Sequence, residues 1–171
     1  MKTVKWFKNP EMIIALSALF IGLLTAVISI YSAYIDRAYA RASVWPNVEL
    51  YRSFERHSFS YGVVNSGTGP ALIKYARVAL DGSPIKRWSD IEAFADISQS
   101  HIHNRTLPAE QTITPLIYEG EAIAAILEVD NRLAIELCYC SIYGDCWVVD
   151  RNNTPKPVNE CVIEHQHAFL Q

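Results

Sequence analysis

Hydrophobic and polar positions divide the chain into two parts of different texture. From Met12 to Ile35 no residue is charged, and Glu11 and Asp36 fence the run on either side. Its 24 residues reach about 36 Å at about 1.5 Å per helical residue, enough to cross a hydrocarbon core of about 30 Å. The pattern predicts a single transmembrane helix over 12–35, preceded by a leader over 1–11 and continued by a helical end over 36–43. Val44-Trp45-Pro46 then stops the helix, because proline lacks a donor and biases its predecessor to extended conformations. A cleaved signal peptide is the rival reading, since Ala38-Tyr39-Ala40 has the small-x-small form of a cleavage site. The apolar run is too long for that reading, a secretory core being about 7–15 residues.

Beyond Pro46 the period of the pattern changes to two. Segments 47–52, 58–65, 71–81, 101–107, 111–118, 133–142 and 146–150 are strand-like, with Phe59, Tyr61 and Val63 on one face and Leu133, Ile135, Leu137 and Tyr139 on another. Asn65-Ser66-Gly67-Thr68-Gly69-Pro70, Asp81-Gly82-Ser83-Pro84 and Tyr143-Gly144-Asp145 are turn chemistry. Two short helices are expected: one over 88–97, opened by a capping box of Ser89 and Glu92, and one over 121–129, where Ile123, Ile126 and Leu127 have helical spacing. From Arg151 the chain is rich in Asn, Pro and Lys and reads as loop. A mainly β domain over 44–151 is thus followed by a tail over 152–171, ordered only if Cys161 holds it.

The run VVNSGTGPALIKYARVALDG (63–82) resembles the N-x-G-x-G-x-A strand–turn–strand of bacterial immunoglobulin-like modules related to cell-adhesion domains, and Leu107-Pro108-Ala109-Glu110 is similar to the L-P-A-G-E turn such modules often carry later. The resemblance covers 58–82 and 107–118. It implies an immunoglobulin-like β-sandwich that binds or spaces, and it brings no catalytic residues with it.

Charge adds orientation. Lys2, Lys5 and Lys8 precede the apolar run, whereas Arg37 and Arg41, offset by Asp36, follow it. That asymmetry predicts a cytoplasmic N-terminus and an exterior C-terminal domain, in a bacterial inner membrane facing the periplasm. Trp6 and Phe7 suit the inner interface, and Tyr31, Tyr34 and Tyr39 the outer one. Residues 42–171 hold ten basic and sixteen acidic groups, a poor ligand for nucleic acid, which needs counterion-releasing cations. Within the helix, Ala18, Gly22 and Ala26 recur every four residues, a spacing that lets a second helix approach closely. A membrane-protein partner or a homo-oligomer through this stripe is therefore expected.

All four cysteines, Cys138, Cys140, Cys146 and Cys161, fall in the exterior part, where an even, clustered set reads as two disulfides. Three pairings are possible. Cys138 and Cys140 share a strand face with Cα atoms about 6.8 Å apart, at the edge of disulfide reach. The favoured pairing is therefore Cys140 with Cys146 across the turn and Cys138 with Cys161.

Other chemistry is thinner. His101 and His103 would share one side of a strand, and a periplasmic copper- or zinc-handling protein using them with some of the cysteines is the alternative function; His165 and His167 form a second pair. A thiol–disulfide oxidoreductase built on Cys138 and Cys140 is a further one. No G-x-S-x-G, S-x-x-K or H-E-x-x-H motif occurs. No catalytic residue, resident metal or cofactor is expected. Aromatic residues, among them Trp45, Tyr51, Phe54 and Phe59, are expected mainly in the core, with Tyr143 and Trp147 at a hairpin tip as exposed partner-binding candidates. The expectation is a non-catalytic, membrane-anchored accessory or scaffolding subunit.

Overall fold

A computed structural model describes residues 10–170. The leader lysines, Trp6 and Phe7 lie outside the described residues. The chain forms two compact units divided between Ala42 and Ser43. Helix α1 (Pro10–Ser43), all but its last residue in the first unit, is long and apolar enough to cross a membrane. Pro10 suits a first helical position because its missing N–H is one the helix start would leave unpaired anyway. None of the side chains of α1 is buried. Three of its hydroxyls fold back onto its own backbone: Ser17, Thr25 and Ser29 donate to the carbonyls of Ile13, Gly22 and Thr25 at 2.8, 2.9 and 2.8 Å.

The second unit is built from strands β1 (Val48–Phe54), β2 (Ser58–Asn65), β3 (Ala71–Leu80), β4 (Ser83–Ile85), β5 (Ile97–Gln99), β6 (Arg105–Leu107), β7 (Thr112–Glu119), β8 (Leu133–Cys140), β9 (Cys146–Asp150) and β10 (Lys156–Val158), with helix α2 (Ile123–Asp130) before β8. One sheet runs β1-β2-β7-β5 and the other β10-β9-β8-β3-β4, with β6 also paired to β3. All pairings are antiparallel, for example Phe54 opposite Phe59 and Leu72 opposite Cys140. A single buried cluster draws on both sheets, on α2 through Ile123 and Ile126, and on Phe169 of the tail. In β2 the alternation is clean, with Phe59, Tyr61 and Val63 all buried.

Two bulges break the simple alternation. Pro115 sits in β7, a central strand, where it cannot donate to the ladder; the register with β2 shifts there, between Tyr61 and Val63. In β3 a shift between Ile73 and Tyr75 carries Ala76 and Val78 into the core and leaves Tyr75 half-buried, its hydroxyl donating to Glu136 at 3.3 Å.

The two motifs quoted above for their resemblance meet at one side chain. Asn65 is fully buried, and its Nδ2 donates to the carbonyls of Gly69, Leu107 and Pro108 at 2.8, 3.1 and 3.1 Å. Its Oδ1 accepts from the backbone N–H groups of Asn47 and Gly67, both at 3.1 Å. The turn lies so close to the preceding segment that a Cβ at Gly69 would come within 1.9 Å of the Val44 carbonyl oxygen, so no larger side chain fits without backbone movement.

Four expectations are corrected. Residues 88–97 do not form a helix with Ser89 and Glu92 as its box; they make single 3₁₀ turns at Trp88–Asp90 and Glu92–Phe94. Asp90 organises the first of these, its Oδ2 accepting from the backbone of Lys86 and Arg87 at 3.1 and 3.0 Å, while buried Trp88 and Phe94 pin the segment. The strand expected over 101–107 shortens to β6, and His101 and His103 precede it on irregular backbone. The loop expected after Arg151 contains β10, where Pro157 is tolerated because it lies on an edge strand opposite Trp147. Trp45, Tyr51 and Phe54 are exposed rather than core, and Tyr51 packs its ring over Gly62 on the facing strand.

Candidate functional site

Asp130 is the last residue of α2, and its side chain is entirely inaccessible to solvent. A carboxylate at a helix C-terminus faces the negative end of the helix dipole, so burial there needs cations. Two arginines supply them. Arg151, just beyond β9, donates from Nη2 to Oδ1 at 2.8 Å and from Nη1 to the carbonyls of Asp130 and Leu133 at 2.6 and 2.9 Å, capping the end of α2. Arg52 of β1 pairs through Nη1 with the other carboxylate oxygen, and Tyr61 of β2 donates its hydroxyl to Oδ1. Burial pushes the Tyr61 hydroxyl up to about 12, against the opposing pull of the positive charges on Arg151 and Arg52. The Tyr61 ring stacks on Trp88 at 5.6 Å and meets Phe59 edge-on at 5.0 Å.

Beside this polar cluster lies a cavity of about 280 Å³ between the sheets. Leu50 and Val63 form one wall, Val78, Ile135 and Leu137 the other, and Trp88 and Phe169 also line it. Arg52, Tyr61 and Arg151 contribute the polar part of the lining. The rim is fixed by Asn153, which donates to and accepts from the two backbone groups of Leu50, both at 2.8 Å. Phe169 is held in place by backbone bonds from its own N–H to the Ala76 carbonyl at 3.0 Å and from Leu170 to Lys86 at 2.9 Å.

No family model, curated protein or solved structure matches this chain.

The residues singled out in the sequence are dispersed. Cys138 is bonded to Cys161 and Cys140 to Cys146, on the side of β8 opposite to Leu137 and Tyr139. The sulfurs of Cys140, Cys146 and Cys161 lie within 4.8 Å of one another, but as disulfides they offer no thiolate, the form that ligates metals. His101 and His103 have ring centroids 5.9 Å apart and, among the described residues, join no group of three potential ligands. Ala18, Gly22 and Ala26 lie exposed on α1, in the other unit. Tyr143 is partly exposed, at 43 %, whereas Trp147 is a correction: it is buried, at 8 %, because it stacks on Tyr139 at 5.7 Å and packs against Trp45 at 4.9 Å.

Asp130, Arg52, Arg151 and Tyr61 carried no site signal in the sequence, where Asp130-Asn131 reads as a helix stop. The one clue is local: an acid placed last in an apolar helix opposes the helix dipole and needs a positive partner. Nothing in the sequence says which arginine that is.

Proposed function

We propose that this chain is a single-pass membrane protein of a bacterial inner membrane, with a cytoplasmic N-terminus and an immunoglobulin-like β-sandwich in the periplasm. In this reading it serves as a non-catalytic accessory or scaffolding subunit, binding a membrane partner through α1 and an extracytoplasmic partner through the β domain. The observation that carries the reading is α1: 34 residues with no side chain buried and with the hydroxyls of Ser17, Thr25 and Ser29 turned onto its own carbonyls. Such a surface is stable only when lipid or another helix covers it, and internal satisfaction of polar groups is what a hydrocarbon environment demands. The Asp130 cluster suits binding more than catalysis, because the carboxylate is held by two arginines and a tyrosine instead of being aimed at an open reaction site. The test is purification of the tagged full chain from native membranes in mild detergent, followed by mass spectrometry. A stoichiometric membrane protein that is lost with Gly22→Leu supports the reading. Monomer alone, or recovery from the soluble fraction, overturns it.

A further inference from the structure

We infer that the cavity between the sheets is a binding site for a small amphipathic monoanion, with its apolar body between the sheets and its carboxylate on Arg52. Three observations carry this. The first is charge: Arg52 and Arg151 face a single carboxylate, Asp130, so the cluster holds one more positive than negative group. The second is the unequal use of the two guanidiniums. Arg151 spends its terminal nitrogens on Asp130 and Leu133, whereas Arg52 meets Asp130 through Nη1, and its other N–H groups meet no protein acceptor among the described residues. A guanidinium presents its donors in a planar fork that fits a carboxylate with two parallel hydrogen bonds. The Arg52 side chain is 39 % exposed, lines the cavity, and carries its guanidinium over the Phe54 ring at 5.8 Å, a placement that leaves its N–H edges free for a ligand.

The third observation is the cavity itself. At about 280 Å³ it sits just below the range of about 300–1,000 Å³ usual for small-molecule sites, and it has room for about nine water-sized groups at about 30 Å³ each. Its apolar walls would lose little by exchanging solvent for hydrocarbon, while the cation at the rim selects the head. A neutral ligand of the same shape would leave the surplus charge unmatched, and a cation would be repelled. The site is independent of whether α1 crosses a bilayer, so it stands or falls separately from the reading above.

The test uses the full chain in a neutral maltoside detergent, with 3-phenylpropanoate as the probe and 3-phenylpropanol as its uncharged counterpart, each followed by calorimetry and by fluorescence of the chain's tryptophans. The acid is expected to bind about tenfold or more tightly than the alcohol, since a hydrogen bond between two charged groups is stronger than one to a neutral hydroxyl. Arg52→Gln is expected to bring the acid-to-alcohol affinity ratio down to about one, a ratio that cancels any loss common to both probes from unpairing Asp130. Arg77→Gln, which removes an arginine paired with Glu136 away from the cavity, leaves the preference intact. Val63→Phe, which fills the cavity from β2, abolishes binding of both probes; because that variant also perturbs the core, the acid-to-alcohol ratio in Arg52→Gln decides the matter. Equal affinity for acid and alcohol, no binding of either, or an acid preference that survives Arg52→Gln overturns the proposal.

Discussion

Replacing Asn65 with aspartate exchanges one NH₂ group for an oxygen and changes almost nothing else, yet the structure makes it a severe substitution. The Nδ2 of Asn65 is the donor for three backbone carbonyls, and its Oδ1 the acceptor for two backbone N–H groups. The bonds to the Gly69 and Leu107 carbonyls and from the Gly67 N–H are fully buried, so water cannot replace the lost partner at these three points without entering the core. At about 1 kcal/mol or more for each buried group left unpaired, Asn65→Ala destabilises by about 3 kcal/mol. Asn65→Asp turns an acceptor toward three carbonyl oxygens, and an uncompensated buried charge costs about 3–5 kcal/mol, so it is at least as damaging as the truncation. Against a total stability of about 5–15 kcal/mol either loss is large. Urea titration of the full chain in neutral detergent, followed by tryptophan fluorescence, measures both. With a slope of about 2 kcal/mol/M, the midpoint falls by about 1.5 M while the slope is unchanged. An Asn65→Asp midpoint close to that of the parent chain, or clearly above that of Asn65→Ala, refutes the claim that this side chain holds the turn to the 107–108 segment.

Alkaline titration probes the other buried polar cluster. The Tyr61 hydroxyl is raised from 10.0 to about 12, chiefly by burial, so between those values the unfolded chain releases a proton that the folded chain keeps. Stability is unaffected by this group below pH 10 and declines as pH rises from 10 toward about 12. Burial also raises the hydroxyls of Tyr75 and Tyr139, so tyrosinate absorbance should show one fewer late-titrating phenol in Tyr61→Phe than in the parent; a Tyr61→Phe titration identical to that of the parent counts against the assigned environment. Phe169→Ala removes a ring 2 % exposed and should destabilise by about 3–5 kcal/mol. It should also release the tail to carboxypeptidase trimming up to the Cys161 disulfide, and resistance equal to that of the parent contradicts the docking of the tail.

Legibility of the fold followed the range of the interactions that fix each element. β2 coincides with the strand expected from alternation because Phe59, Tyr61 and Val63 all turn inward, and β9 lies where a strand is expected although its neighbours Cys146 and Trp147 are both buried. β3 is found in place, but its inward set is not what alternation from Ile73 gives, since the bulge beside Tyr75 depends on the facing strand. The helix expected over 88–97 gave way to two single 3₁₀ turns, the first of them held by Asp90, which accepts from the backbone of Lys86 and Arg87, so the capping acid is Asp90 and not Glu92. β10 was hidden by Pro155 just before it and Pro157 within it, since proline excludes a central strand and permits an edge. The long apolar helix was legible from composition alone. The site beside Asp130 was not, because its partners at positions 52, 61 and 151 come together only once both sheets are formed, and no local spacing encodes that meeting.

The clamp of Asn153 on Leu50 reaches past the rim it fixes. An outermost strand with open amides and carbonyls invites a neighbouring molecule to add a strand of its own, which is how crowded β proteins begin to aggregate. One loop amide fills both positions at Leu50 and so interrupts the row that an incoming strand would need. At the far end of the same sheet the last strand is only the three residues of β5, too short to template much growth. The domain can therefore stand shoulder to shoulder with its copies without zipping onto them.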